Sequence, residues 1–428
     1  MHPAYYLAAL VGVQIIPRML QRFPVPAPVW AVLLGVATGH FVPEFRNDAV
    51  LTQLGALGVA SLFLFAGIEV RVAHMRADAR PLAIYVVTRV VSLAALSAGI
   101  VLLPELSAGL SLPPPLASWI PAMPAFDPRS AVLIALAVLT PSTGFILGAI
   151  GTMGLDADEQ RAVRLKAIAA EILALAVMFV VLGSTTLETL GWSTLALLAL
   201  AIAIRLLFRG AARFLLPYAP GSEFSLVIVV ALVAAYATHA LGVHYFIGAF
   251  VVGVLVQYVR SDLPAASSWE TIHAIELFSS FFMPYFFFNA GLGLPASALS
   301  VEALLIGLAL SAVALPLRVL MVTLQRRLTL RERWHEGVRI SVPLLPTLIF
   351  ALVIAEVLRA DFGLPDELYG ALVVYAIVST VVPSLVLRTA AARFDPANVA
   401  QVDSEAAGPQ GKSAPAAAEP GSATSSRI

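Results

Sequence analysis

About thirteen apolar stretches of roughly membrane-spanning length follow one another along this chain, joined mostly by short polar links. A helix needs roughly 17–25 apolar residues to cross the hydrocarbon layer. Windows of that kind fall near 3–20, 26–42, 53–70, 82–103, 130–152, 163–184, 191–208, 222–240, 243–259, 273–294, 300–323, 336–357 and 367–388. The runs are continuous rather than alternating, so they predict helices and not the strands of a barrel. Sixty per cent of the 428 residues are hydrophobic and only 12% are charged, and the expected class is an all-α polytopic membrane protein. A net charge of zero leaves no nucleic-acid footprint. The absence of cysteine excludes disulfides, thiolate metal sites and thiol catalysis. The opening MHPAYYLAALVGVQIIPRML has no basic leader region and no small-residue cleavage site, so it reads as a first membrane helix.

Two of these stretches carry a proline next to a hydroxyl residue in mid-span. Leu139–Leu147 reads LTPSTGFIL and Leu344–Leu352 reads LLPTLIFAL. With Pro141 set against Pro346, Ser142 meets Thr347, Phe145 meets Phe350 and Leu147 meets Leu352. Proline lacks the amide donor and clashes one turn back, so both helices are expected to break there. In lipid, freed backbone groups are tolerated only against protein or a watery cavity. Interrupted helices at corresponding places in two halves of a chain are a pointer to a transporter's binding site.

The correspondence extends further. Phe63–Gly67 (FLFAG) is echoed by Phe287–Gly291 (FFNAG), and Gly35-Val-Ala by Gly253-Val-Leu. The matched stretches are seven helices apart, and an odd offset places the halves in opposite orientations, as in inverted-repeat transporters. The expected plan is one membrane unit over residues 1–390, with a first repeat near 3–184, a linker helix near 191–208 and a second repeat near 222–388. The link 104–129, with Pro113, Pro114 and Pro115, reads as a surface excursion, and residues 395–428 as a disordered cytoplasmic tail. If the N-terminus is outside, eighteen Lys and Arg residues fall in inside loops and three outside. The positive-inside rule then predicts N-out and C-in.

Few residues in the spans can carry chemistry. Glu171 lies about 8 Å along its helix from Lys166, at 1.5 Å per residue. An intramembrane carboxylate costs several kcal/mol and is a functional candidate by default. It can exchange a proton near physiological pH, and a group that binds either a proton or a cation is the minimal device for exchange. The plainer reading has Glu171 snorkelling to the cytoplasmic edge or pairing with a nearby arginine. Thr140, Ser142 and Thr143 offer hydroxyls and unwound carbonyls to a hard cation; the plainer reading has them bonding back to the preceding turn. Glu69 ends the third helix and Arg339 opens the twelfth, so they are expected either to form a buried ion pair or, for Glu69, to touch the cation. Arg89 and Arg318 need partners, for which Glu276 and Glu356 are available. Asn289 is a lone polar position on the tenth helix, and His239 and His244 read as interfacial. There is no phosphate loop, dinucleotide fingerprint, nucleophile elbow or zinc site, so neither an enzyme nor a cofactor is expected, and no metal beyond a transported monovalent cation.

These stretches resemble the monovalent cation:proton antiporter-2 family, which includes bacterial sodium/proton and potassium-efflux antiporters. LGALGVASLFLFAGIEVRV, LTPSTGFIL, EFSLVIVVALVAAYATHALGVHYFIGAFVVGVLV and FFMPYFFFNAGLGL carry the likeness over roughly residues 5–388. The resemblance implies about thirteen helices, a moving core with two crossed broken helices, and a dimerisation domain. It also implies elevator-type exchange of Na⁺ or K⁺ for H⁺ in a bacterial inner membrane, a homodimer, and no partner beyond lipid and the exchanged ions. Where the family carries a polar residue before an aspartate, this chain has Ala170-Glu171, which argues against a two-carboxylate, charge-moving stoichiometry. LLPTLIF stands where the family has a Gly-Glu-Phe motif, and the family's regulatory nucleotide-binding domain is not present, so control by NAD or glutathione is not expected. The ion is expected to sit mainly on the Thr140–Thr143 side. A channel-like or sensor protein, and a sodium-coupled organic-solute carrier, are the alternative readings.

Overall fold

The computed structural model describes residues 3–20, 25–70, 78–109, 126–183, 187–219, 221–241, 244–258 and 268–387, with single residues 23 and 75. Among them the ordered elements are all helical. In chain order they are α1 (Pro3–Met19), α2 (Ala27–Phe41), α3 (Ala49–Ile68), α4 (Ala79–Gly109), α5 (Pro128–Leu139) and α6 (Thr143–Ala149). Next come α7 (Ala157–Gly183), α8 (Leu187–Phe214), α9 (Glu223–Ala240), α10 (Tyr245–Tyr258) and α11 (Trp269–Leu292). The chain continues with α12 (Val301–Leu330), α13 (Trp334–Ser341), α14 (Leu348–Phe362) and α15 (Asp366–Val386). Among the described residues, eight helical spans are long and apolar enough to cross a membrane, and the α13/α14 pair adds a ninth. The protein is a multi-pass, all-α membrane protein. The tail 395–428 and most of the 104–129 excursion lie outside the described residues. The apolar window 191–208 lies within a longer helix, α8.

Side-chain caps start several helices. Asp48, Asp127, Ser268 and Ser300 accept from amides in the first turns of α3, α5, α11 and α12, supplying acceptors the helix itself lacks. The helices fall into two groups. In one, α3 packs on α10 and α11, α2 on α11, and α9 on α10. In the other, α12 packs on α15 and α13, α14 on α15 and α5, and α4 on α5 and α7. Phe63 of α3 meets Phe350 of α14 edge to face, with centroids 5.6 Å apart, where the groups touch.

Glycines display the repeat at atomic level. A Cβ on Gly35 would lie 2.0 Å from the Phe288 carbonyl oxygen, and one on Gly291 would lie 2.0 Å from that of Val32. The α3–α10 contact does the same: a Cβ on Gly67 would lie 2.3 Å from the Phe250 carbonyl oxygen, and one on Gly253 would lie 2.1 Å from that of Leu64. In all four cases the carbonyl belongs to the residue three before the partner glycine. Small residues let membrane helices approach backbone to backbone, and these two crossings repeat one another glycine for glycine. The echoed Gly35/Gly253 and Gly67/Gly291 positions are therefore equivalent contact points in two halves.

Candidate functional site

The two broken helices meet in the second group. The chain leaves α5 at Thr140, whose extended backbone (φ −79°, ψ 121°) is what a residue preceding proline prefers. It stays extended through Ser142 (φ −87°, ψ 98°) and resumes as α6. In the second half α13 tightens into a 3₁₀ turn at Val342–Leu344, and the path bends by 52° before α14 begins. The breaks are joined directly: the Ser142 amide donates to the Pro346 carbonyl at 2.7 Å, and the Ile349 amide donates to Ser142 Oγ at 3.0 Å. The crossing is buried, Ser142 and Thr347 fully and Thr140 and Thr143 nearly so.

The carbonyls left bare where the helices end at the two breaks are gripped by arginines. Arg89 on α4 donates to Leu139 O at the end of α5. Arg318 on α12 donates to Leu344 O at 2.7 Å and Leu345 O at 2.8 Å. Leu139 and Leu344 are equivalent when Pro141 is set on Pro346, so each half places a guanidinium on the same carbonyl. A helix C-terminus carries partial negative charge, which these buried cations neutralise. Tyr375 of α15 ties the two together: Arg318 donates to its hydroxyl at 3.0 Å, and that hydroxyl donates to Val138 O of α5 at 2.6 Å. The expected carboxylate partners are thus corrected. Glu276 bonds His273 at 3.3 Å, and Glu356 accepts from Tyr369 at 3.1 Å. The sequence marks each arginine only as a charge within the apolar helix preceding a break, which shows that it needs a partner but not that the partner is a carbonyl.

Glu171 is on α7, packed against α6, and only 3% exposed. It is therefore not a snorkelling edge residue. The Thr143 hydroxyl faces its carboxylate, yet completes no hydrogen bond of normal geometry. Thr140 donates its amide to Leu136 O, while Thr347 spends its hydroxyl on Ser379 at 2.8 Å. Thr143, Ser142 and Glu171 thus come together at the first break, and Thr347 stands across it.

The remaining candidates lie elsewhere. Arg339 clamps Glu159 through Nε at 2.9 Å and Nη2 at 2.8 Å, and also bonds the Gly154 carbonyl. Its carboxylate partner is therefore Glu159 and not Glu69, a correction of the expected pair. The Arg339 side chain is half exposed and that of Glu159 15% exposed, so the pair is partly hydrated. Glu69 caps the C-terminus of α3 and is half-buried. Asn289 packs against Gly55 on the α3–α11 interface, away from the crossing. His244 reaches Asp361 at 3.5 Å, and burial outweighs that carboxylate to hold the imidazole below its usual range.

Comparison with known proteins agrees with this fold. Structures of the sodium proton antiporter MjNhaP1 from Methanocaldococcus jannaschii are similar in fold. One, determined at pH 8, has a TM-score of 0.60 at 14% identity, covering 93% of this chain and 98% of that one. The other, an electron-microscopy map, has a TM-score of 0.56 at 14% identity, covering 96% and 98%. None of the curated proteins matches. A family model described as "Sodium/hydrogen exchanger, transmembrane" matches residues 6–393. With nine-tenths of its length matched, this chain belongs to the sodium/hydrogen exchanger transmembrane family.

Proposed function

We propose that this protein exchanges a monovalent cation, Na⁺ or K⁺, for H⁺, with Glu171 binding the proton and the cation in turn. The observation that carries this reading is a carboxylate 3% exposed beside a broken helix, with a buried hydroxyl facing it that lacks a normal hydrogen-bond partner. A bare carboxylate out of water is costly unless compensated. A proton on Glu171, or a cation shared with Thr143 and the unwound backbone near Thr140 and Ser142, supplies that compensation, and one excludes the other. One carboxylate carrying one charge either way makes the exchange electroneutral. Neither Glu69 nor Arg339 is placed to carry the ion in this scheme, and Thr347 and Asn289 play supporting parts.

Transport in this reading is an elevator movement. The group that holds the crossing (α4–α7 and α12–α15) slides against the glycine-packed group (α1–α3 and α9–α11), which forms a homodimer. Thirteen spans in a bacterial inner membrane put the N-terminus outside and the C-terminus in the cytoplasm, following the basic-residue bias. The affinity with the antiporter-2 branch, and with it the K⁺ alternative, belongs to the same reading.

The test is cation-dependent fluorescence dequenching in inverted vesicles with Na⁺, K⁺ and Li⁺. Glu171→Gln is expected to remove the response in all three while the protein still reaches the membrane and melts cooperatively. Exchange that survives in this variant would rule out Glu171 as the carrier. Cation flux without proton counterflow in the wild type would favour a channel instead.

A further inference from the structure

A second polar site lies on the far side of α7 from Glu171. Five residues of α-helix turn through about 140°, so Lys166 and Glu171 point in different directions. Glu171 faces α6, whereas Lys166 turns toward α4 and α12. Its Nζ donates to Gln325 Oε1 at 3.1 Å and sits 4.4 Å from the Tyr85 ring centre. Lys166 is 6% exposed, yet no carboxylate among the described residues comes within ion-pair distance of it. A buried ammonium is ordinarily paired, because its desolvation is costly. A neutral amide oxygen and a ring face compensate it only in part, and an ammonium has three donors.

Lys166 borders a cavity of about 290 Å³ lined also by Leu82, Arg161, Ala162, Gln325 and Arg326. Arg161 is bound to Asp78 at 2.8 Å and Arg326 to Glu332, so the acids nearest the cavity are already engaged. Asp158 lines it too, but it is exposed to solvent, which screens it. The first turns of both α4 and α7 open onto the cavity, and helix N-termini favour negative charge. Leu82, Ala162 and Leu330 give it apolar walls beside the charged lining, and its volume accommodates an oxyanion head group.

We propose that this cavity binds an oxyanion head group, a carboxylate or a phosphate, with Lys166 as its buried counter-charge. The site is separate from the cation crossing and does not depend on the exchange reading. Tyr85 lies one helical turn from Arg89, which holds Leu139 O, so an anion on Lys166 touches the helix that braces the first break.

Thermal melting of the purified full chain in neutral detergent tests this. Phosphate is titrated against chloride at equal ionic strength in one arm, and phosphatidylglycerol is added to the micelles in the other. A saturable rise in melting temperature is expected in at least one arm: the phosphate arm identifies a soluble anion, and a rise with phosphatidylglycerol alone identifies a lipid head group. Loss of one charge-assisted hydrogen bond in Lys166→Met should weaken binding by about tenfold to a hundredfold. If that variant fails to fold, Ala162→Phe crowds the cavity one turn before Lys166 while keeping the ammonium, and should weaken the rise. Glu171→Gln, on the opposite face, should keep it whether or not it still exchanges ions. No rise in either arm, or an undiminished rise in Lys166→Met or Ala162→Phe, overturns the assignment.

Discussion

The two breaks answer the same local problem differently. At the first, Thr140 obeys its proline and the chain runs extended for three residues, so α5 and α6 together still form one span over Pro128–Thr152. At the second, Leu345 keeps helical angles (φ −76°, ψ −37°) in spite of Pro346, and the path turns by 52°. Both released carbonyl ends are neutralised by a buried arginine, so that part of the design is shared. What packs alongside is not. The helix following the first break offers Glu171, whereas the helix following the second offers Ser379 and Tyr375. The hydroxyl of Thr347 is consumed by Ser379, and that of Thr143 is kept facing the carboxylate. An inverted repeat thus supplies a symmetric brace and an asymmetric site.

The sharpest way to break this comparison is to exchange the chemistry of the two flanking helices. Removing Glu171 as Glu171→Gln should abolish proton-coupled cation movement in vesicles. Ser379→Ala, across the crossing, should leave the maximal rate within a few-fold of wild type. Equal losses from both would show that the ion is shared between the halves.

Next in size is the brace. Arg318 satisfies two carbonyls and a tyrosine hydroxyl, and Arg89 one carbonyl. Hydrogen bonds from a charged group contribute about 1.5–3 kcal/mol each, so Arg318→Met should lower stability by at least about 3 kcal/mol and more than Arg89→Met does. Melting of the two variants in detergent would reveal the order, and the reverse order would refute the carbonyl-bracing account.

A smaller contrast lies in the hydroxyls themselves. Ser142→Ala strands the buried Ile349 amide, at a cost of about 1–3 kcal/mol. Thr347→Val with Ser379→Ala removes both partners of one bond, which should be nearly neutral. Chemical denaturation would separate them, and equal destabilisation would mean that the direct link between the breaks is not structural.

The smallest effect belongs to His244, at the opposite end from Arg339. Its folded-state affinity for protons is lowered by burial in spite of Asp361. The unfolded imidazole therefore takes up protons first as pH falls through about 6.5, the ordinary histidine value, and stability declines with it. His244→Gln should lose less stability than wild type between neutral pH and pH 5. An identical pH profile would show that this histidine is solvated.

Reading the chain by itself located both breaks, because proline chemistry acts on the residues next to it, and it singled out Glu171, because a charge within an apolar run stands out. It also found the glycine echoes, although not which helices they join: Gly35 meets the helix of Gly291, and Gly67 that of Gly253. It mispaired the arginines. A guanidinium in an apolar run leads one to look for a carboxylate, but a broken helix offers bare carbonyls, and these carry no mark in the sequence.

Hydrophobic spacing and two prolines were enough to determine the helical membrane class and the two interruptions, since each follows from contacts within a few residues. Packing alone decided that Arg89 and Arg318 brace the breaks, that Arg339 goes to Glu159, and that Thr143 and not Thr347 is left facing the carboxylate. In each case the choice lay among several chemically suitable partners far apart in the chain, and only the approach of helices in three dimensions picks one.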